Sequence, residues 1–365
     1  MGELHIAIAV LCGTVGGPAT YGRKLVETLA RRAGIRFSVL TDQPDAFPFP
    51  GIDVVPLPMR GGLDRLRWQY LALPRALRKL APDVFHDTKN ALPWRLRMPA
   101  SVTVHDLAYH TVPESFGWLS RTFLKRATAD AVRRAAAILT PSEATANDLA
   151  RFHPRATGKV HVVPHGIEPA PTVTPATIAE VRQRLSLPER FVLHVGTVQA
   201  RKNVDLVVHG VRNLRQRGFP HHTVVVGRRG WLADKALAAI DCDDATLWLP
   251  HVEAHDLAAI YAAAEAFVSP SAYEGFGFAV ADALAAGVPT VISDVSSLPE
   301  LCGEGAVRLR ELTAEAVANA LAAVLGDPVR TQARVAIGRQ RAASLAWDAA
   351  ADGHLRVWFA MRRSS

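Results

Sequence analysis

Short apolar runs of β type alternate with longer amphipathic segments along nearly the whole chain, and this alternation limits the possible folds more than any other feature. The runs carry few charges, which is typical of strands that are buried on both faces. Parallel strands need long crossover connections, and helices usually supply them. The alternation therefore predicts parallel sheets that are covered by helices on both sides.

The alternation occurs in two series. The first series predicts strands at His5–Leu11, Phe37–Thr41, Val54–Leu57, Asp83–His86, Ser101–His105 and Ala137–Pro141, and helices at Tyr21–Arg32, Arg65–Leu80, Thr122–Ala136 and Ser142–Arg151. Pro74 is expected to kink or split the second of these helices. The second series predicts strands at Phe191–Val195, His222–Val226, Thr246–Leu249, Ala266–Pro270 and Thr290–Ser293, and a helix that begins near Asn203.

The restart predicts two domains, as a length of 365 residues also does. A proline-rich stretch from Pro164 to Pro175 marks the boundary. We expect doubly wound, Rossmann-like domains at residues 1–168 and 169–345, and a helix at 346–365 that crosses back to the first domain. Ligands of such sheets bind beyond the carboxyl ends of the strands. Two domains that face each other would form a central cleft between those ends.

Composition excludes several protein classes. Apolar residues make up 49% of the chain and charged residues 21%, which excludes a disordered chain. The three cysteines, Cys12, Cys242 and Cys302, have no metal-ligand spacing, so a reducing cytosol fits best. No apolar run is long enough for a transmembrane helix. The run Leu4–Cys12 is interpreted as a buried strand rather than a signal peptide.

The positive charge is concentrated in one half. Residues 1–168 contain 22 Lys and Arg against 14 Asp and Glu, whereas the rest of the chain contains 20 of each. The plainest interpretation is a solvated basic surface. An anionic membrane surface or an acidic acceptor is the alternative, and the basic amphipathic helices Arg65–Leu80 and Arg121–Arg134 could form that surface. A nucleic-acid partner is not expected, because the chain has no matching motif.

A glycine turn follows the first strand of each of the two series. In Gly13-Thr14-Val15-Gly16-Gly17, backbone N–H groups could approach an anion at a helix start, although a tight turn explains the glycines equally well. His194-Val195-Gly196-Thr197 leads to Arg201-Lys202-Asn203, which places two cations at a helix start, against the macrodipole. A bound diphosphate would offset that cost; a charged surface turn is the alternative.

The most informative motif runs from Ser271 to Pro289. A strand delivers Glu274 to the carboxyl edge of the sheet, where Gly275 and Gly277 let the backbone approach a ligand. Asp282 follows eight residues after Glu274, inside the next helix. The two carboxylates could each bind a hydroxyl-rich ligand, whereas a loop acid and a solvated helix acid would be the structural alternative.

These motifs together resemble those of the retaining glycosyltransferases of family 4, which have the GT-B fold. The resemblance covers nearly the whole chain. It rests on Gly16-Gly17 with Tyr21, Val104–Leu107, Thr140–Glu143, Val162–Gly166, Gly196–Asn203, Tyr273–Asp282 and Trp347. Asp282 stands where the family has glutamate, Thr197 where arginine is common, and His165 where asparagine is common.

The resemblance implies the transfer of a hexose from a nucleotide diphosphate sugar to an acceptor hydroxyl, with retention of the anomeric configuration. The implied catalytic residues are His105, Arg201, Lys202 and Glu274. Lys202 and Arg201 would stabilise the diphosphate, and Glu274 would bind the hydroxyls of the sugar. His105 would lie beside the transferred sugar, although a lone histidine after a strand is also often a satisfied structural residue. The implied donor-binding residues are Gly16, Gly17, Gly196, Thr197, Val252, Gly275, Phe276, Gly277 and Asp282.

Within that set, Asp282 would hold the ribose diol and Val252 would lie near the base. The donor is expected to be GDP-mannose first and a UDP-glucose type second. No cofactor is expected. No metal ion is expected either, because the cationic side chains of Lys202 and Arg201 would replace it. The acceptor would be a glycan, a lipid-linked molecule or a small molecule on the N-terminal side. His86–Asn90 could line its site, although a surface loop explains this segment equally well. The expected location is cytoplasmic, with peripheral contact at the inner membrane face as an option.

Two other functions remain open at this point. Asp282 and Thr197 would also fit a nucleotide-sugar-binding protein with impaired catalysis. A nucleotide-sugar epimerase has the same two-domain fold and would need no acceptor.

Overall fold

The computed structural model describes residues 3–11, 16–57 and 67–363, apart from the side chain of residue 69. The chain divides into two compact units. The first contains the described residues up to His110, then Leu119–Gly166 and the chain from Ala346 onward. The second contains Thr111–Trp118 and Ile167–Leu345.

The first unit is built on a parallel sheet with the strand order β3-β2-β1-β4-β5-β6-β7. Its strands are β1 Leu4–Val10, β2 Ile35–Thr41, β3 Ile52–Pro56, β4 Val84–Asp87, β5 Ala100–Thr103, β6 Ala137–Thr140 and β7 Val160–Val162. The helices of this part of the chain are α1 Gly17–Leu29, α2 Leu73–Leu80, α3 Ala108–Thr111, α4 Trp118–Arg134 and α5 Glu143–Phe152. The last helix of the chain, Trp347–Arg363, also belongs to this unit.

The second unit is built on a parallel sheet with the order β10-β9-β8-β11-β12-β13. Its strands are β8 Phe191–Val195, β9 His222–Val226, β10 Thr246–Leu249, β11 Ala266–Ser269, β12 Thr290–Ser293 and β13 Val307–Leu309. Its helices are α6 Pro175–Arg184, α7 Val204–Gln216, α8 Asp234–Asp241, α9 Ala254–Ala263, α10 Phe278–Ala286, α11 Leu298–Cys302, α12 Ala314–Gly326 and α13 Pro328–Ala343; α14 is Trp347–Arg363.

The doubly wound arrangement predicted from the sequence is confirmed in each unit. In both sheets the strand order reverses beside the first strand, between β1 and β4 and between β8 and β11. The central strands are buried along their whole length, as in Leu4–Val10, which explains their continuous apolar sequences. Side-chain caps begin several helices; for example, Ser142 accepts a hydrogen bond from the N–H of Thr145 at the start of α5.

The helix predicted over Arg65–Leu80 changes type just before Pro74. A π-helical turn, Trp68–Ala72, passes directly into α2, Leu73–Leu80, so the described part of the helix is split beside Pro74 as expected. Proline lacks the N–H that an interior helical position would use, and the first turn does not require it. Residues 65 and 66 of the predicted helix lie outside the described residues.

Two strands were not predicted, β7 and β13. Each has three residues and lies at the edge of its sheet, which leaves too little sequence for a β pattern. The sequence also gave no sign that Thr111–Trp118 belongs to the second unit, where the indole N–H of Trp231 donates to the carbonyl of Ser115 at 2.8 Å. Among the described residues, no helix is both long and apolar enough to cross a membrane.

Candidate active site

The loops that follow β8 and β11 meet at the point where the strand order of the second sheet reverses. The first loop, residues 196–203, ends in a short 3₁₀ turn, Ala200–Lys202, and α7 begins after it. The second loop, residues 270–277, leads into α10. The N–H of Ala272 donates to the carbonyl of Arg201 at 2.8 Å, and the amide of Asn203 donates to the carbonyl of Pro270 at 2.9 Å. Backbone contacts therefore hold the two predicted motifs together.

Glu274 is the centre of this arrangement. One carboxylate oxygen pairs with the ammonium of Lys202 and accepts a hydrogen bond from the Ser271 hydroxyl at 2.8 Å. The other oxygen lies 3.2 Å from the guanidinium of Arg201. Glu274 is only 6% exposed, and burial raises its pKa, but Lys202 and Arg201 outweigh burial and lower the pKa to about 2. The carboxylate is therefore ionised and can accept further hydrogen bonds from hydroxyl groups.

Serine side chains fix the backbone around Glu274. The N–H of Glu274 donates to the hydroxyl of Ser296 at 2.8 Å, and Ser297 donates to the carbonyl of Glu274 at 2.9 Å. The sequence indicated Ser271 only as the start of the motif and gave no role to Ser296 or Ser297. Each of these serines lies between a strand and the helix that follows it.

Local geometry favours glycine at two positions of the site. Gly277 has φ +98° just before α10, and a Cβ there would lie 2.7 Å from a methyl group of Leu298. Gly227, after β9, has φ +145°, and its Cβ would lie 2.1 Å from the carbonyl oxygen of Gly196. At Gly227 the neighbouring backbone leaves no room for a side chain, whereas at Gly277 the positive φ favours glycine and the Cβ would meet only a leucine methyl group.

Asp282 lies on α10 and is accessible to solvent. Two causes raise the pKa of Asp282 to about 7: first the low-dielectric surroundings of the carboxyl group, and second the negative charge of Glu168. A pKa near 7 leaves the carboxyl group partly protonated at neutral pH. The structure does not bring Asp282 into hydrogen-bonding contact with Lys202 or Glu274. Val252 lies between β10 and α9, where it packs against the apolar core of the unit.

In the first unit, α1 begins at Gly17, directly after Gly16, whose φ is +100°. Among the residues that the structure describes, a Cβ on Gly16 would meet no atom within 4 Å, and the positive φ itself favours glycine here. The rest of the predicted glycine turn, Gly13-Thr14-Val15, lies outside the described residues.

His105 follows β5, and both of its ring nitrogens are engaged within the first unit. Its Nε2 lies 2.8 Å from the carbonyl oxygen of Thr88, which can only accept, so Nε2 carries the proton. Its Nδ1, 3.2 Å from Nε2 of His165, is then the acceptor. Burial lowers the pKa of His105 to about 4, so the ring is neutral at pH 7.

Tyr21 connects this histidine pair to the C-terminal helix. Its ring packs edge-on against His105 and lies 4.4 Å, centre to centre, from the ring of His165. Its hydroxyl lies 2.7 Å from Nε2 of His354, on α14, and 2.8 Å from the hydroxyl of Thr103. The sequence motifs indicate Tyr21 only as part of a glycine motif, and no sequence pattern indicates a role for His354.

Donors and acceptors can be assigned consistently throughout this network. His354 donates from Nδ1 to the carbonyl of Ala350, so its Nε2 accepts from the Tyr21 hydroxyl. The indole N–H of Trp358 donates to the hydroxyl of Ser101, which lies 2.9 Å from Nδ1 of His86. The network is buried and requires neutral imidazoles; it joins α14 to the sheet of the first unit.

The surface of the first unit carries exposed apolar side chains beside basic ones. The exposed apolar residues include Tyr70, Leu71, Trp94, Leu119 and Phe123. A groove of about 450 Å³ opens there, lined by Lys89, Asn90, Ala91, Leu119, Ser120, Phe123, Leu124 and Ala127. It includes two residues of the segment after β4 that the sequence suggested for the acceptor side.

Two protein families match the chain. The family described as "Glycosyltransferase Family 4" matches residues 15–170, and the one described as "Glycosyl transferases group 1" matches residues 189–327. O-antigen chain mannosyltransferase B of Escherichia coli is 27% identical over 281 residues, which are 75% of this chain and 73% of that protein. Glycogen synthase of Mycobacterium tuberculosis is 28% identical over 355 residues, 90% of this chain and 81% of that protein.

A third relative is the GDP-mannose-dependent alpha-(1-6)-phosphatidylinositol dimannoside mannosyltransferase of M. tuberculosis, with 29% identity over 51% of this chain and 49% of that protein. Among solved structures, sucrose-phosphate synthase from Thermosynechococcus elongatus has a TM-score of 0.80 at 21% identity, covering 99% of this chain and 100% of that chain. Anabaena HepE in complex with UDP and glucose has a TM-score of 0.77 at 16% identity, covering 98% and 100%. These two likenesses concern the fold.

Proposed function

Since the chain belongs to glycosyltransferase family 4 and has the GT-B fold, we propose that it transfers a hexose from a nucleotide diphosphate sugar to an acceptor hydroxyl with retention of the anomeric configuration. The observation that carries this proposal is the contact of Lys202 and Arg201 with Glu274. It places cations that suit a departing diphosphate directly beside a carboxylate that suits the hydroxyls of a sugar.

The proposed reaction breaks the bond between the anomeric carbon and a phosphate oxygen and forms one from the same carbon to the acceptor oxygen. Negative charge develops on the departing diphosphate, and preorganised cations stabilise it there. Lys202 would do most of this work and Arg201 the remainder. The acceptor approaches on the face that the diphosphate leaves, and the leaving phosphate oxygen takes the acceptor proton.

The remaining contacts would bind and orient the donor. Glu274 would accept hydrogen bonds from the sugar hydroxyls, and Asp282 would hold the ribose diol. Val252 would lie near the base. Backbone groups of Gly16, Gly17, Gly196, Thr197, Gly275, Phe276 and Gly277 would complete the site. His105 would contact the transferred sugar after giving up one of its two ring hydrogen bonds.

The proposed donor is GDP-mannose, with a UDP-glucose type second. Two of the relatives are named mannosyltransferases, and one of these is named as GDP-mannose-dependent. No metal is part of the proposal, because Lys202 and Arg201 supply the positive charge that a metal-dependent transferase takes from a cation. Transfer that survives prolonged treatment with EDTA would support this, and loss that Mg²⁺ or Mn²⁺ restores would contradict it.

The proposed acceptor is a hydroxyl of a glycan, a lipid-linked molecule or a small molecule. The exposed Leu119 and Phe123 lie on α4, the helix that also carries Arg121, Lys125 and Arg126. Apolar and basic side chains on one helix suit contact with an anionic membrane, where a lipid-linked acceptor would be found. We include peripheral contact with such a membrane in the proposal.

The test is nucleotide release from a panel of GDP-, UDP- and ADP-sugars, with acceptor extracts supplied. A retaining transferase should release the nucleotide in step with a product whose new linkage, by NMR, has the anomeric configuration of the donor. Binding without release would indicate impaired catalysis. Conversion of one sugar nucleotide into another without an acceptor would indicate an epimerase, and an inverted product would contradict the retaining mechanism.

A further inference from the structure

His194 is a fully buried histidine of β8, directly below the loop that carries Lys202. Its Nδ1 lies 2.9 Å from the backbone carbonyl oxygen of Val268 on the neighbouring strand. A carbonyl oxygen can only accept a hydrogen bond, so Nδ1 carries the proton of the neutral ring. The other ring nitrogen, Nε2, therefore presents a lone pair.

That lone pair has no hydrogen-bond donor among the residues that the structure describes, although the atom is buried. Buried acceptors without donors are rare in folded proteins and costly, so each one calls for an explanation. Burial lowers the pKa of His194 to about 4, with the charge of Lys202 contributing, so the ring stays neutral at pH 7. A donor supplied during the reaction would satisfy Nε2 without a change of charge.

The position of Nε2 identifies that donor. If residue 196 had a Cβ, this atom would lie 3.6 Å from Nε2 of His194 and 3.7 Å from the ammonium nitrogen of Lys202. Both groups therefore border the small space that glycine leaves at position 196. A change of the lysine rotamer would direct an ammonium N–H toward Nε2 through that space.

We propose that His194 is a positioning residue for the transfer reaction, whose Nε2 accepts a hydrogen bond from the Lys202 ammonium when a nucleotide diphosphate occupies the site. This rests on the proposed function. The hydroxyl groups of the donor sugar would donate hydrogen bonds to the carboxylate of Glu274, which pairs with Lys202 in the structure. The hydrogen bond to His194 then holds the Lys202 ammonium near the diphosphate while Glu274 binds the sugar.

Two substitutions separate the ring nitrogens. His194→Asn keeps a donor near the Nδ1 position for the carbonyl of Val268 and removes the acceptor at the Nε2 position. His194→Gln places an amide oxygen near the Nε2 position and loses the Nδ1 donor. His221→Asn is the matched control, because His221 is a fully buried histidine of the same unit that contacts Glu265 instead.

The experiment measures binding of GDP, UDP and their monophosphates by titration calorimetry, together with thermal unfolding of each variant. We expect His194→Asn to lose about tenfold or more in affinity for the diphosphate, as is typical for a hydrogen bond to a charged group. Affinity for the monophosphate should change little, and the Gln variant should recover most of the diphosphate affinity. In the parent, the ¹⁵N resonance of His194 Nε2 should shift toward the hydrogen-bonded range when the diphosphate is added.

An equal loss for monophosphate and diphosphate, a Gln variant as weak as the Asn variant, or an unmoved Nε2 resonance would each overturn the positioning role. If the parent binds none of the nucleotides, the proposed function itself fails. A parent that binds the diphosphate as tightly as the Asn variant overturns only the role of His194.

Discussion

The hydroxyl of Tyr21, on the first helix, lies 2.7 Å from Nε2 of His354, on the last helix, although 333 positions separate them in the chain. The same hydroxyl accepts from Thr103 on the central sheet. One phenol therefore joins α1, the sheet and α14. Its ring also packs against His105, so the same side chain supports the loop to which the sequence assigned the transferred sugar.

Tyr21→Phe should lower the free energy of unfolding of the first unit by about 1–3 kcal/mol, because it leaves the buried Nε2 of His354 without its donor. Urea denaturation of the purified variant measures this. Tyr261→Phe is the control in the second unit, where the phenol makes a hydrogen bond to the carbonyl of Ala279 and its loss should cost about 1 kcal/mol. A Tyr21 variant as stable as the parent would show that the hydroxyl network does not stabilise α14.

The histidine network should make the first unit sensitive to acid. Burial lowers the pKa of His105 and His354 to about 4, and those of His86 and His165 well below their usual value. The unfolded chain, with ordinary histidines, therefore binds more protons than the folded one between about pH 6.5 and 4. Stability should fall as the pH falls through this window, by up to about 1.4 kcal/mol per pH unit for each histidine.

Unfolding free energies at a series of pH values between 7 and 4.5 test this. His354→Gln should reduce the slope, because it removes one of the titrating groups. A parent whose stability is flat across the window would contradict neutral, buried imidazoles.

Lys202→Ala should reduce nucleotide release by about 10²–10³-fold while the fold survives, because it removes charge stabilisation that grows toward the transition state. Lys235→Ala is the matched control, since Lys235 pairs with the buried Asp205 but lies on the surface of α8. Rates are compared at saturating donor after circular dichroism has confirmed folding. Equal rates for the Lys202 variant and the parent would remove Lys202 from the mechanism.

Asp282 should make nucleotide binding depend on pH. A ribose diol donates to the ionised carboxylate and favours that form, so the pKa of Asp282 in the complex should fall below about 7. Affinity for the nucleotide diphosphate should then decrease as the pH falls below 7. Calorimetry in buffers of different ionisation enthalpy should detect the release of protons when the nucleotide binds at pH 7. The Asp282→Asn variant should release fewer protons on binding.

Substitution at the same position tests the ribose contact itself. Asp282→Ala should weaken binding of the nucleotide diphosphate by about 1.5–3 kcal/mol, the value of a charge-assisted hydrogen bond. Asp282→Glu should retain or improve affinity, because it restores the reach that is usual in the family. An alanine variant with unchanged affinity would place the ribose elsewhere.

The basic side chains of α4, Arg121, Lys125 and Arg126, should make the protein bind anionic vesicles more strongly than neutral ones. Salt should weaken this binding, because charges are screened beyond about 8 Å at roughly 0.15 M. Replacing Arg121, Lys125 and Arg126 together with glutamine should cost up to about 1 kcal/mol per charge, and transfer to a soluble acceptor analogue should stay nearly unchanged. The same change at the exposed Arg215, Arg310 and Arg330 of the second unit is the control. Equal sedimentation with both kinds of vesicle would favour an acceptor in solution.

The sheets were predictable because the pattern that builds them is local. The nearly continuous apolar run Leu4–Val10 has the length of a strand and is too short for a typical helix, so the local sequence indicates a strand with both faces covered. The pairing of Glu274 with Lys202 was predictable in outline, since both follow strands that end at the same edge. Their direct contact depends on backbone bonds between the two loops, and these leave no trace in the side-chain pattern.

The buried polar groups were less predictable. A histidine in an apolar strand, such as His86 or His194, has the same local sequence whether it is satisfied by a neighbour or waits for a ligand. Which of these applies depends on residues that are distant in the chain, such as Ser101 for His86. The return of Thr111–Trp118 to the second unit likewise depends on Trp231, far along the chain.

The first unit takes its last helix from beyond the second unit, and this has a consequence for synthesis. A chain that leaves the ribosome from its N-terminus usually folds its domains in that order. Here the contacts that His354 and Trp358 make with the first unit can form only after the whole second unit has been translated. The second unit can fold before α14 is synthesised, and the groups around Tyr21 stay exposed until α14 packs on the first unit.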